Sequence, residues 1–358
     1  MRILITGASG LLGLNLALST AGSHEVYGVT HHHLLYNAPF HVLQANLLER
    51  GALERLLDTV QPDWIIHCAA LADLDDCEAD PDLAYHLNAE LPGRLATLVA
   101  KGGARAKGIR LVHISTDAVF DGIQGDYREE DTPNPLGVYA RTKLAGELTV
   151  AAANPQAIIA RVNLFGWSLM GRRSLGEFFF NNLSAGKQVM GFTDVYFCPM
   201  LVNDLAGVLV CMLEAQLRGL YHVVSREATT KYDFGVAVAR RFELDESLIT
   251  PTLVATSGLR APRSPNLTLR TDKLKTALAQ SKEKIGNVDI MGDEAAHNIQ
   301  SSDHFPPSRP WEEKEVTLKS SVRGMRGELP SWQEGLERFY ELFCSGYPQM
   351  LMKLAVAG

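Results

Sequence analysis

The strongest constraint on the fold lies in the first thirteen residues, MRILITGASGLLG. An apolar run from Ile3 to Thr6 breaks into three glycines, Gly7, Gly10 and Gly13, and passes into a Leu/Ala-rich stretch. That order predicts strand, tight turn and helix start. Glycine there lets the backbone take positive φ and approach a ligand closely. The helix N-terminus behind it presents unpaired N–H groups and partial positive charge, which suit a pyrophosphate. G-x-x-G-x-x-G is looser than the G-x-G-x-x-G fingerprint, and a plain surface turn is the alternative. Its position, directly after an N-terminal apolar strand, is where the first βαβ unit of a dinucleotide-binding fold begins.

The rest of the first half alternates in the same way. Apolar runs at Arg2–Thr6, Glu25–Thr30, His41–Gln44, Trp64–His67, 110–115 and 157–162 read as strands. Residues 11–21, 53–60, 81–101 and 137–153 read as helices between them. Apolar strands separated by helices predict an α/β fold with a doubly wound parallel sheet covered on both faces. Asp80 and Pro81 mark a helix start, and Pro92 inside that helix predicts a kink or broken turn.

Charge and cysteine usage narrow the function classes. A net charge of −7 without a basic stripe argues against a nucleic-acid surface. No apolar run reaches membrane-spanning length, and the N-terminal apolar strand meets Gly7 too early for a signal peptide. Five scattered cysteines without a CxxC pair predict free thiols in a reducing cytoplasm. The expectation is a cytoplasmic protein with no nucleic-acid or membrane partner, and with a homodimer as its possible assembly.

Three further stretches carry chemistry. Thr30-His31-His32-His33 ends the second strand, where an NAD site usually places an Asp or Glu for the ribose hydroxyls. Without a carboxylate to repel a 2′-phosphate, NADPH is the preferred reading, NADH the alternative, and a polar loop the plain one. A metal site lacks further ligands at defined spacing, so no metal is expected. Trp64–His67 runs into Cys68, Ala69 and Ala70, whose small side chains leave room for a cofactor or for a close strand–helix contact. Finally, RLVHISTDAVFDG ends a strand in Ser115, Thr116 and Asp117, and one helix later Tyr139 and Lys143 stand at i, i+4. An ammonium beside the phenol would favour its ionised form and make the tyrosine a better acid near neutral pH. A Y-x-x-x-K pair arises readily by chance, so its order after the Ser/Thr strand end carries the argument.

TGASGLLG, STDAVFDG and YARTK, in this order, resemble the extended short-chain dehydrogenase/reductases, and within them the dTDP-4-dehydrorhamnose reductase family. Asp75-Asp76-Cys77-Glu78 with Ala84-Tyr85-His86-Leu87-Asn88, DVYFCPMLVND at 194–204, Arg263-Ser264-Pro265-Asn266 and Trp332-Gln333-Glu334-Gly335-Leu336 extend the similarity over nearly the whole chain except 279–326. The resemblance implies a Rossmann domain at 1–165 binding NAD(P), and a mainly substrate-binding portion at 166–358. Thr116, Tyr139 and Lys143 would be catalytic, with Tyr139 donating the proton. Gly7, Ser9, Gly10, Leu11, Leu12, Gly13, His31, Ala69, Ala70, Tyr139 and Lys143 would hold the cofactor. Asp117, Asn88 and Arg263 would meet a nucleotide-sugar substrate whose 4-keto group receives a hydride. Ala118 stands where these reductases often carry tyrosine, Asn46 replaces an acidic residue, and Ser264 a proline. The β subunit of methionine adenosyltransferase resembles the same reductases and acts by binding a partner enzyme, so a non-catalytic NADP-holding subunit is the rival reading; another sugar reductase or epimerase is the third. Phe178-Phe179-Phe180 reads as core rather than a base-stacking platform. Residues 279–326, rich in charge, Ser and Pro, read as a disordered insertion. His297 and His304 within it have no supporting ligands.

Overall fold

The computed structural model describes residues 1–101, 108–256, 264–286 and 328–355. The apolar runs form strands β1 (Arg2–Thr6), β2 (Glu25–Thr30), β3 (His41–Gln44), β4 (Trp64–His67), β5 (Arg110–Thr116) and β6 (Ile158–Val162). The C-terminal half adds β7 (Leu164–Phe165), β8 (Val189–Phe192), β9 (Tyr196–Phe197), β10 (Met200–Leu201), β11 (Gly219–Val223), β12 (Thr229–Thr230) and β13 (Ile249–Thr252). Seven strands pair in parallel in the order β11-β6-β5-β4-β1-β2-β3, a doubly wound Rossmann-type sheet. The order reverses between β1 and β4, so the crevice at their carboxyl ends is the topological switch point. The C-terminal half contributes β11 to this sheet, and the buried helix Val202–Glu214 packs on its face.

Side-chain alternation puts Ile3, Ile5, Trp64, Ile66, Val112, Ile158 and Ala160 on one face, under the helices Leu11–Thr20 and Val202–Glu214. Leu4, Ile65, Leu111 and Ile159 face the other way, toward Ala52–Val60, Leu91–Lys101 and Val138–Ala153. A further aromatic core closes the C-terminal half, where Trp167 stacks on Phe339 at 4.1 Å between ring centroids. Phe179 is buried there and Phe180 packs on Trp167, while Phe178 stays exposed.

Pro92 breaks its helix in a way that shapes the site. Its missing N–H cannot bond the carbonyl four residues back, which belongs to Asn88. The chain widens there into a π turn, His86–Glu90, before Leu91–Lys101 resumes. The freed Asn88 carbonyl faces Gly146, where a Cβ would come within 2.2 Å of it. Gly146 thus lets the helix Val138–Ala153 settle closely on the π turn.

The segment 279–326 needs a correction at its start. The helix Asp272–Gly286 runs through residues 279–286, and 287–326, with His297 and His304, lies outside the described residues. All five cysteines are free. Among the described residues no helix is long and apolar enough to cross a membrane, and no group of three His, Cys, Asp or Glu converges on one point.

Candidate active site

The glycine turn lies at the switch point, at the carboxyl end of β1, and the Tyr139 helix packs on β5, two strands away. Gly7 leaves β1 with φ +70°, and a Cβ on it would lie 2.8 Å from the Ala69 amide at the end of β4. Gly13 has no room either, since its Cβ would sit 2.3 Å from the Gly7 carbonyl. Gly10 is different: only the Gly7 carbonyl, at 3.1 Å, lies near its Cβ position, so this side of the turn is open. Gly10 caps the helix Leu11–Thr20 without a side-chain hydrogen bond, and the first turn carries no acid. The chain therefore leaves the positive helix end for an anion, and the cradle fits a dinucleotide pyrophosphate. Ser9 and Leu11 are partly exposed on this turn, whereas Leu12 is buried in the core. Ala69 packs against Gly7, its amide donating to Thr6 Oγ1 at 3.2 Å, and Ala70 next to it is exposed. His31 is exposed just past β2, its ring against that of His32 and its carbonyl accepting from Gln44 Nε2 at 3.0 Å.

Thr116 ends β5, and Tyr139 opens the helix Val138–Ala153, whose first amide is held by Glu78 Oε1 at 2.8 Å. Tyr139 lies close enough to Thr116 for that hydroxyl to favour its ionised form. Thr116 Oγ1 also donates to Asp117 Oδ1 at 3.1 Å and accepts the Ala118 amide at 3.2 Å. Asn163 Nδ2 donates to Asp117 Oδ2 at 2.6 Å. Burial pushes the Asp117 carboxyl up to about 6, against the pull of Asn163, Thr116 and Lys231.

Lys143 corrects one expectation. It shares a helix face with Tyr139, but its Nζ donates to the Ile114 carbonyl at 2.6 Å, and the charges felt at it are those of Glu147 and Cys68. Burial lowers it to about 8. Tyr139 is pushed up to about 12 by burial, with Thr116 holding it down and Asp117 raising it. Acidification of the phenol by the lysine is therefore not built into this chain by itself; Thr116 is the group that favours the phenolate.

Asn88 also differs from expectation. It is 1% exposed, and its carboxamide accepts from the Leu71 amide and donates to the Leu71 carbonyl, each at 2.9 Å, and to Thr142 Oγ1 at 3.1 Å. Its amide protons are both used in joining the loop after β4 to the Tyr139 helix, a positioning task rather than a substrate contact. Arg263 lies outside the described residues. The segment after it runs along the loop that follows β5: Asn266 donates its amide to the Gly122 carbonyl at 3.0 Å.

A buried polar belt under the Tyr139 helix escaped the sequence reading. Thr6, His67 and His113 stand in register across β1, β4 and β5, as do Ser115, Arg161 and His222 across β5, β6 and β11. Arg161 grips Glu147 with two bonds, 2.9 and 2.8 Å, and Ser115 Oγ donates to the same carboxylate at 2.5 Å. His222 accepts from Arg161 Nη1 at 3.4 Å and donates from Nδ1 to the Arg270 carbonyl at 3.1 Å, as a neutral ring should. Arg161 is 2% exposed and Glu147 4%. Removing one partner of such a pair strands a buried charge. Glu147→Gln is therefore expected to lower unfolding free energy by about 3–5 kcal/mol, whereas Glu49→Gln, which loses only the exposed Arg55 pair, costs less than about 1 kcal/mol. Urea unfolding of the two variants checks this; equal midpoints would remove the belt's structural role.

A doubly wound sheet with a glycine turn at its switch point and a Tyr/Lys helix beside it is the framework of an extended short-chain dehydrogenase/reductase. Within that class the chain belongs to the family described as RmlD substrate binding domain, whose profile matches residues 1–287. A Haloferax volcanii protein described as "Probable low-salt glycan biosynthesis reductase Agl14" is 32% identical over 84% of this chain and 100% of its own length. Methionine adenosyltransferase 2 subunit beta of Pongo abelii is 34% identical over 77% of this chain and 82% of its own. A dTDP-4-dehydrorhamnose reductase of Mycobacterium tuberculosis is 33% identical over 74% and 83%. The solved dTDP-4-dehydrorhamnose reductase of Bacillus anthracis, in complex with NADP, superposes with a TM-score of 0.68 at 22% identity, covering 95% of this chain and 98% of that one, and shares the fold.

Proposed function

We propose that the chain is an NADPH-dependent reductase of a nucleotide-linked 4-keto sugar, with dTDP-4-dehydrorhamnose the first substrate to test and NADH the second cofactor. The observation that carries this reading is Tyr139 set beside Thr116 at the end of β5, with Lys143 one helical turn away and the glycine turn at the end of β1, two strands over. Two relatives described as reductases support it, as does the NADP in the solved neighbour. A nicotinamide cofactor supplies the hydride when bound.

The chain's own groups would then do the rest. Gly10 and the open amides of the Leu11–Thr20 helix would receive the pyrophosphate, Ala69 and Ala70 the opposite edge, and His31 the 2′-phosphate. Lys143 would hold the nicotinamide ribose. Thr116 and Tyr139 would bind the sugar carbonyl oxygen, and Tyr139 would hand its proton to the developing alkoxide. Arg263 would meet the diphosphate, since a guanidinium fork matches phosphate, whereas Asp117, 3% exposed with its oxygens on Thr116 and Asn163, would support Thr116 rather than meet the sugar. The substrate would be held mainly by residues 166–358, and the chain would work as a homodimer in the cytoplasm.

Lys143 gives a pH prediction. Its value is depressed to about 8, so the ammonium is present below that pH and is lost as pH rises through it. With it goes the ribose contact, and kcat/KM is expected to fall above about pH 8. A profile that stays flat to pH 9.5 would separate Lys143 from turnover.

The similarity to methionine adenosyltransferase β subunits favours a second reading, a regulatory subunit that holds NADP and binds a partner enzyme. Following NADPH absorbance with a panel of dTDP- and UDP-4-keto sugars decides between them. Oxidation with one sugar supports the reductase; none with any, together with co-purification of a partner enzyme, supports the subunit.

A further inference from the structure

The hydrogen bond from Thr116 to Asp117 has a direction, and one proton sets it. Thr116 Oγ1 has a single proton and two lone pairs. The Ala118 amide, at 3.2 Å, takes one lone pair, the proton goes to Asp117 Oδ1, at 3.1 Å, and the second lone pair occupies the remaining direction. Asp117 Oδ2 faces the Asn163 amide at 2.6 Å, a group that can only donate there. A proton added to the carboxyl therefore sits on Oδ1, facing Thr116. Oδ1–H then donates, and the Thr116 proton must leave that line. The Ala118 N–H closes a second direction, which leaves the third, outward one.

We propose that Asp117 is a positioning residue whose proton on Oδ1 turns the Thr116 hydroxyl from an inward donor into an outward one, aimed where the carbonyl oxygen of the substrate would lie. The proposal rests on the reductase reading and deepens it. In the acid form the site offers two donors to a developing alkoxide, from Tyr139 and Thr116. In the carboxylate form Thr116 is turned inward and Tyr139 alone is free to donate. Facing Asp117 are Tyr139 from the Val138–Ala153 helix, Lys231 from the Lys231–Arg241 helix, and Cys198 between β9 and β10. Burial holds Cys198 up at about 11 and Tyr139 at about 12, so neither changes charge near neutrality, whereas Asp117 does so near 6.

The test is kcat for reduction at saturating NADPH and keto sugar, followed from pH 5.5 to 9. Wild type is expected to step down about tenfold as pH rises through about 6, a modest share of what one oxyanion donor contributes, before the later fall at Lys143. Asp117→Asn mimics the acid form permanently: its carboxamide oxygen faces Asn163 and its NH₂ donates to Thr116. That variant is expected to lose the step near pH 6 and to match the wild-type acid plateau within about threefold at pH 7.5. A step that persists in Asp117→Asn, or a variant slower than wild type at pH 7.5, overturns the proposal. Neutron diffraction from crystals at pD 5.5 and 8.0 reads the Thr116 deuteron without substrate. It should point away from Asp117 at the lower value and toward it at the higher; the same direction at both would also overturn it. A chain that turns over no keto sugar sinks the reductase reading alone, because the deuteron still decides this one.

Discussion

Replacing Tyr139 with phenylalanine is expected to lower kcat by roughly 100- to 10,000-fold, the range a positioned general acid contributes. The ring stays, so packing is kept, and losing the hydroxyl should cost no more than one neutral hydrogen bond, about 0.5–1.5 kcal/mol of stability. NADPH affinity should hold within about twofold, because the glycine turn and the Leu11–Thr20 helix are untouched. The proton is required only as the alkoxide forms, so kcat and kcat/KM should fall together. Steady-state kinetics with an NADPH titration check both halves. Turnover equal to wild type would assign the proton to another group. NADPH binding lost along with turnover would make Tyr139 structural.

The second large effect is on stability in acid. His67, His113 and His222 are buried and held neutral, His67 and His222 at about 3 and His113 well below its ordinary value, by burial first and by the charge of Lys143 or Arg161 next. Among the described residues His67 Nε2 and both nitrogens of His113 have no hydrogen-bond partner. In the unfolded chain each imidazole takes up a proton near pH 6.5. Depressed histidines contribute stability that is complete above that pH and is lost as pH falls below it. Each costs about 1.4 kcal/mol per pH unit, so three cost about 4 kcal/mol between pH 7 and 5.5. Asp117 works in the opposite direction: its raised value lets the folded chain bind a proton first, which returns about 1 kcal/mol over the same interval. A net loss of about 3 kcal/mol is expected from urea unfolding at the two pH values. His113→Leu should remove one histidine's share of the slope. Equal stability at both pH values would mean that the belt takes up protons without unfolding.

The framework was legible because its signals are local. The glycine turn, the apolar runs and the i, i+4 spacing of Tyr139 and Lys143 each arise within a few residues, and the strands fall within a residue or two of where the apolar pattern puts them. Pro92 announced the broken helix, although only the fold reveals that its missing N–H frees Asn88 to meet Gly146. The polar belt was not legible, because Thr6, His67, Ser115, Arg161 and His222 are joined only by sheet register. A hint existed in the charged Arg161 inside the apolar run IIARV and in Glu147 one turn past Lys143. The direction in which Lys143 points was out of reach for a different reason. Helical spacing places the residue, whereas the Ile114 carbonyl and Glu147 decide where its ammonium goes.

The reductase account stands or falls on where a hydride from the cofactor ends up. The chain would be incubated with NADPH carrying deuterium at the transferring position of nicotinamide C4 and with dTDP-4-dehydrorhamnose, and the sugar read by mass spectrometry and NMR. The account predicts one deuterium at sugar C4, lost in Tyr139→Phe. Unlabelled sugar beside intact NADPH, from a folded chain that binds the cofactor, would contradict it.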